Sequence, residues 1–211
     1  MTEKIARKKG RPARFDRNEA VERALDLFVS RGYEGTTLED LQEAMGGITP
    51  PSFYNAFGSK EGLFHEAVKL YVEKVGNPPL IALEETAPVR DAMDMFLRMN
   101  ARAISRPGKP RGCLMVRAAL NCTPGSRGVQ DFLEAQRRTL PEMLRRRLDR
   151  AVREGDLPSG VETRAMAAFY ATVLQGLGMR AGDGASRASL MAAVDGAMAA
   201  WDPMVAAAGS S

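Results

Sequence analysis

The sequence is poor in the residues from which most metal and nucleophile chemistry is built. It has one histidine, His65, so a multi-histidine zinc site is excluded and any serine–histidine–aspartate triad would have to use that residue. Its two cysteines, Cys113 and Cys122, are too few for a disulfide scaffold or a four-cysteine metal site. No phosphate loop and no nucleophile–base pair stands out, so neither an enzyme nor a cofactor is expected. The apolar runs fall far short of the roughly 20 residues a membrane helix needs. Residues 1–14 are basic and polar, unlike a secretory leader. The apolar–polar alternation of a strand is also missing. What is left is a chain of 211 residues, 45% hydrophobic and 27% charged, long enough to bury a real core. These features predict an all-α, cytoplasmic protein with free thiols.

The formal charge of +4 is unevenly placed. Lys4, Arg7, Lys8, Lys9, Arg11, Arg14 and Arg17 stand against Glu3 and Asp16 in the first 17 residues, a local +5 that leaves −1 for the rest. A basic arm on a nearly neutral body suits a polyanion, although a solvated tail would look the same. The arm has no apolar face for a lipid surface, which favours nucleic acid over membrane.

Helix punctuation follows the arm. Asp16 with Glu19 forms a capping-box-like start, and Val21, Ala24, Leu25 and Phe28 then repeat at helical spacing up to Gly32. Thr36 with Glu39 predicts a second capping box, opening a short helix that Gly46-Gly47 breaks. Thr49 caps a third helix with Pro50 in its first turn, and Ser59 caps a fourth that runs to Val75. Gly76-Asn77-Pro78-Pro79 predicts a linker. Beyond it lie further helical stripes, including a long helix over residues 129–152 that Pro141 should kink, and two regular helices over 162–181 and 186–201. About nine helices result. Four segments follow: an arm (1–15), a DNA-binding unit (16–60), a connecting helix (61–75) and a helical ligand-binding and dimerisation unit (76–205).

A short helix, a glycine turn and a second capped helix make a helix-turn-helix, the geometry that places its second helix in the DNA major groove. The helix starts at Thr36-Thr37, Thr49 and Ser59 offer unpaired N–H groups to phosphate oxygens. The stretch FDRNEAVERALDLFVSRGYEGTTLEDLQEAMGGITPPSFYNAFGSKEGLFHEAV resembles the DNA-binding domain of TetR-family transcriptional regulators, and ITPPSFYNAFGSKEGLF carries most of that likeness. The second glycine of Gly46-Gly47 is one more than the family's commonest pattern. The resemblance implies that Thr49, Pro50, Pro51, Tyr54 and Asn55 lie on or just before the recognition helix. It also implies that Tyr54 touches phosphate and that Lys60 faces phosphate from the start of the fourth helix. Asn55 suits an adenine edge, or equally a phosphate or water. Phe53 and Phe57 fit the core better than a base. Residues 49–57 hold no Arg or Lys, so thymine methyls and phosphate clamping must outweigh arginine-to-guanine readout. Lys9-Gly10-Arg11-Pro12 resembles the core of a minor-groove AT-hook, with Arg11 entering the groove.

The GCLMVRAAL segment and the last two helices resemble the ligand-binding half of the same family. Candidate lining residues are Met93, Phe96, Asn100, Cys113, Phe132, Gln136 and Tyr170, where the methionines equally suit core. Cys113, behind Gly112 and near Arg111 and Lys109, is a candidate redox or electrophile sensor or an inert thiol. His65 reads as a surface residue. Phe169, Val173, Leu177, Leu190, Val194, Met198 and Trp201 form stripes suited to a four-helix dimer interface. The sequence therefore predicts a homodimeric regulator that binds a palindromic operator in double-stranded DNA and is released by a small-molecule effector. An architectural DNA-binding protein without effector, or an enzyme acting on a hydrophobic small molecule, are the alternatives.

Overall fold

Local side-chain chemistry sets where each helix begins. The computed structural model describes residues 16–86, 88–119 and 123–207. Among these residues the regular structure is helical, with no strand. In α1 (Arg17–Arg31) the Asp16 carboxylate accepts the N–H groups of Asn18 and Glu19. Its buried face is Ala20, Val21, Ala24, Leu25, Phe28 and Val29, and Gly32 ends it at a positive φ of 75°.

The second capping box forms one residue later than expected. Thr36 is fully buried and donates its hydroxyl to the Gly32 carbonyl at 2.8 Å. Thr37 is the cap of α2 (Leu38–Ala44) and exchanges hydrogen bonds with Asp40. The Thr37 N–H and hydroxyl, with Arg31 beside them, hold the Asp40 pKa at about 2. Gly46 and Gly47, with φ of 85° and 79°, make the turn into α3 (Pro50–Phe57), which Thr49 caps through the Ser52 N–H. Ser59 caps α4 (Lys60–Tyr71) through the Gly62 N–H.

The expected linker after Val75 does not form. A π-helical turn (Val72–Gly76) carries the chain directly into α5 (Asn77–Glu85). Pro78 and Pro79 fall in the first turn of α5, where their missing N–H groups cost little. The wider turn, in which the Asn77 N–H reaches the Val72 carbonyl, shifts the hydrogen-bond register just ahead of them.

The rest is α6 (Val89–Ala103), α7 (Leu114–Arg117), a 3₁₀ turn (Pro124–Ser126), α8 (Arg127–Arg153), α9 (Thr163–Gly182), α10 (Arg187–Ala199) and α11 (Trp201–Ala206). Pro141 lies within α8 without ending it. Within the GCLMVRAAL segment the described helix is the single turn of α7. Buried Arg147 on α8 closes the end of α5, donating to the carbonyls of Leu83 (2.8 Å) and Thr86 (2.9 Å).

Two hydrophobic cores result, and they do not follow the chain. One gathers Phe28, Leu41, Phe53, Leu63 and Phe64 of the N-terminal head, together with Leu114, Ala118, Val129 and Leu133 from α7 and the start of α8. The other fills the body with Phe96, Leu97, Leu144, Leu148, Tyr170 and Trp201. Thus α7 and the start of α8 are shared between head and body.

A close backbone approach fixes α7. A Cβ added at Gly178 on α9 would lie 2.6 Å from the Cys113 Cβ, and one at Gly112 would lie 3.1 Å from the Gly182 Cα. Gly178→Ala is expected to destabilise the fold by about 1–3 kcal/mol, the cost of overpacking a site that cannot relax. A thermal unfolding midpoint equal to that of the parent would show that α7 is not clamped there.

The stripes expected to form a dimer interface are mostly internal. Leu177, Leu190, Val194, Met198 and Trp201 are buried in the body core of their own chain. Phe169 and Val173 are half-exposed. Apolar periodicity finds the greasiest face of a helix, and here that face meets the core. The outer side of α9 and α10 carries a shallow groove lined by Phe169, Val173, Gly176, Arg180, Ala193 and Gly196, and the edges of Leu177 and Leu190 reach it as well.

Candidate nucleic-acid interface and effector cavity

Helix α3 buries one face and displays the other. Phe53 and Phe57 are in the head core, as their spacing suggested. Pro50, Pro51, Ser52, Tyr54 and Asn55 are exposed, Tyr54 by 50%. Met45, Gly46, Gly47, Ile48, Thr49, Ser52 and Asn55 line an open recess beside this face. Arg17 pins the arrangement. It pairs with Glu66 at 2.5 Å and lies over the Phe57 ring, 5.3 Å from its centroid. Arg23 closes the C-terminal end of α2 by donating to the Ala44 carbonyl at 2.8 Å.

Thr49 and Ser59 cap helix starts at the exposed edge of the head. The Thr37 hydroxyl is already engaged with Asp40, and Thr36 is too deeply buried to meet DNA. The ammonium of Lys60 sits 4.2 Å from the Tyr33 ring centroid, and partial burial lowers its pKa. Arg11 and the Lys9–Pro12 segment lie outside the described residues.

The body contains a cavity of about 250 Å³ between the end of α4, the π turn, α6, α7, α8 and α9. Its walls are largely apolar, with Val72, Val75, Leu80, Phe96, Leu140 and Leu174 among them. Asn100 is buried in it and donates its amide to the Phe96 carbonyl at 2.8 Å. The Tyr71 hydroxyl bonds to Cys113 and accepts the Leu114 N–H; burial pushes this phenol well above its ordinary pKa, so it stays neutral.

Both halves of the chain match known families. Residues 20–67 match the family of bacterial regulatory proteins of the tetR type, and residues 89–197 match the tetracyclin repressor-like C-terminal domain. The chain belongs to the TetR family. It is 30% identical to the HTH-type transcriptional repressor ComR of Escherichia coli (strain K12), covering 97% of each chain. Among solved structures it is similar to the TetR family transcriptional regulator CifR, in a cysteine-mutant form complexed with 26 bp operator DNA. That match has 43% identity and a TM-score of 0.85, covering 90% of this chain and 99% of the other. A TetR regulator from Rhodococcus sp. RHA1 is 34% identical, with a TM-score of 0.58 over 85% of this chain and 95% of the other. As a TetR protein, this chain is a DNA-binding transcriptional regulator built on a helix-turn-helix.

Part of the cavity wall was legible in the sequence. Phe96, Asn100, Cys113 and Gln136 line it. Met93 does not; it is fully buried in the body core. Tyr170 packs on Trp201, 5.8 Å between ring centroids, and its hydroxyl points to the Ala197 carbonyl at 3.4 Å. Phe132 packs on His65 with the rings tilted by 47° and their centroids 4.4 Å apart, in the contact between α8 and α4. His65 keeps 43% of its side chain exposed, so it is a surface residue that also packs on Phe132. Cys122 lies outside the described residues. Tyr71, Met143 and Arg137 were missed as lining. The first two sat on stripes that looked purely structural, and Arg137 lay in a Gln-Arg-Arg run that looked solvated.

Proposed function

We propose that the chain is a homodimeric repressor whose head reads a palindromic operator and whose body releases it when an effector fills the cavity. Residues 16–60 act as the reading head, 61–75 as the connecting segment and 76–205 as the ligand-binding and dimerising body. In the head, Tyr54, Thr49, Ser59 and Lys60 meet phosphate, and Pro50, Pro51 and Asn55 approach base edges. Thr37 positions α2 by capping it rather than by touching DNA. ComR is named as a repressor, and CifR was solved on operator DNA, which supports this reading. The groove on α9 and α10 is the surface for the second protomer, since a symmetric pair is how a helix-turn-helix reads a palindrome.

One observation carries the release mechanism. Tyr71, Val72, Val75 and Gly76, at one end of a continuous helical rod, wall the cavity, while Ser59 and Lys60 begin that rod beside α3. The rod is about 25 Å long at roughly 1.5 Å per residue. An occupant that pushes the π turn therefore moves the head. A second link runs through α8. Its middle lines the cavity at Gln136 and Leu140, while the turn before it holds Glu34 of the head. Glu34 accepts from the Thr123 N–H and hydroxyl and from the Ser126 hydroxyl.

The test is thermodynamic linkage. Operator affinity is expected to fall when the cavity is occupied, and cavity affinity to fall by the same factor when operator is bound. Equal effector affinities with and without operator would overturn the release mechanism.

A further inference from the structure

The cavity contains one charged side chain among its lining residues, Arg137 on α8. It is half-buried, and no carboxylate lies within ion-pairing distance of it among the described residues. Its neighbours on the helix are already spent, because Glu134 pairs with Arg138 at 2.5 Å. One guanidinium nitrogen, Nη1, donates to the Met115 carbonyl at 3.0 Å, which fixes the group against α7. Nε and Nη2 make no hydrogen bond to a described residue. Those two atoms form the edge of a guanidinium that takes a carboxylate in two parallel bonds.

A partly desolvated cation without a counter-ion is costly unless an anion arrives with the ligand. The remaining polar groups of the wall include the amides of Asn77, Asn100, Gln136 and Gln175 and the hydroxyls of Thr139 and Tyr71, which bring no charge. Among the described residues no Asp or Glu lines the cavity, so no carboxylate there would pair with a cationic ligand. Opposite the polar groups stands an apolar wall that includes Phe96, Leu140, Met143 and Leu174.

We propose that the cavity is a site for medium-sized apolar carboxylates, with Arg137 as the anchor of the carboxylate and the apolar wall as the seat of the tail. This rests on the cavity being the effector site, and it adds the chemical class of the occupant. Arg137 also ties the occupant to α7 through Met115, the element whose Leu114 belongs to the head core.

The experiment uses the full-length chain and four probes: octanoate, 4-phenylbutyrate, octanamide and octylamine, with binding read by calorimetry. At least one acid is expected to bind about tenfold or more tighter than the amide, and the amine to show no binding. Preference for octanoate separates an aliphatic ligand from an aromatic one, for which phenylbutyrate leads. Arg137→Gln should erase the difference between acid and amide, and Arg137→Lys should keep part of it. Should the Gln variant fail to fold, the acid–amide comparison on the parent chain still decides. Octanamide binding as tightly as the better of the two acids, or no binding by either acid, overturns the proposal. Adding the operator duplex separates the two claims. Arg137-dependent acid binding that leaves duplex affinity unchanged keeps the carboxylate site and removes the effector role.

Discussion

Ala193→Glu is expected to yield monomers in sedimentation velocity and to lower operator affinity by about a hundredfold or more. Ala193 is exposed on α10 and lines the outer groove beside Gly176 and Gly196. These small residues leave the helix backbones open to close approach. In the proposed dimer a glutamate at each Ala193 would be buried in the groove without a counter-ion, placing desolvated like charges in the interface. The fold of the single chain should survive, because the substituted side chain faces solvent before assembly. Affinity falls because one head reads only one half-site. Val173→Glu should act in the same direction from α9. Val194→Glu should behave differently, since Val194 is fully buried and a charge there breaks the body core. A retained dimer in Ala193→Glu would place the interface elsewhere.

Removing residues 1–14 is the second large change. It deletes Lys4, Arg7, Lys8, Lys9, Arg11 and Arg14. Each phosphate contact contributes about −0.9 to the slope of log affinity against log salt. If three of the six bases per protomer engage phosphate, that slope should flatten by about 2.7 per protomer, and affinity should drop by about one to three orders of magnitude at low salt. Arg11→Ala alone should weaken binding more on AT-rich flanks, where the minor groove is narrow, than on GC-rich flanks. An unchanged slope on truncation would make the arm a solvated tail.

The parts of this protein that were legible in the sequence are those whose cause is local. Asp16, Thr49 and Ser59 cap their helices because an oxygen two or three residues ahead of an orphan N–H needs no tertiary partner. The box at Thr36–Glu39 was misplaced because Thr37 and Asp40 have the same spacing. Only burial, which drives Thr36 onto the Gly32 carbonyl, breaks the tie. The glycine–proline stretch after Val75 looked like a linker because a π turn has no clear sequence signature. The dimer stripe mixes two faces of its helices. Val194 and Met198 are periodic because they face the core, whereas Ala193 and Gly196, on the outer face, look like helix filler. In the cavity, buried Asn100 was visible as a polar residue on an apolar stripe. Arg137 was not, because its isolation from carboxylates depends on contacts far apart in the chain.

The most direct measurement is selection of bound duplexes from a random-sequence pool by the full-length protein, followed by sequencing. The account predicts enrichment of a two-fold symmetric site with half-sites centred about 34–36 Å apart, or a multiple of one helical turn. An adenine should be fixed in each half-site where Asn55 reaches the base edges, and Asn55→Ala should relax that position. No enrichment above the starting pool, or a single asymmetric half-site, would contradict the central claim that paired heads read a palindrome.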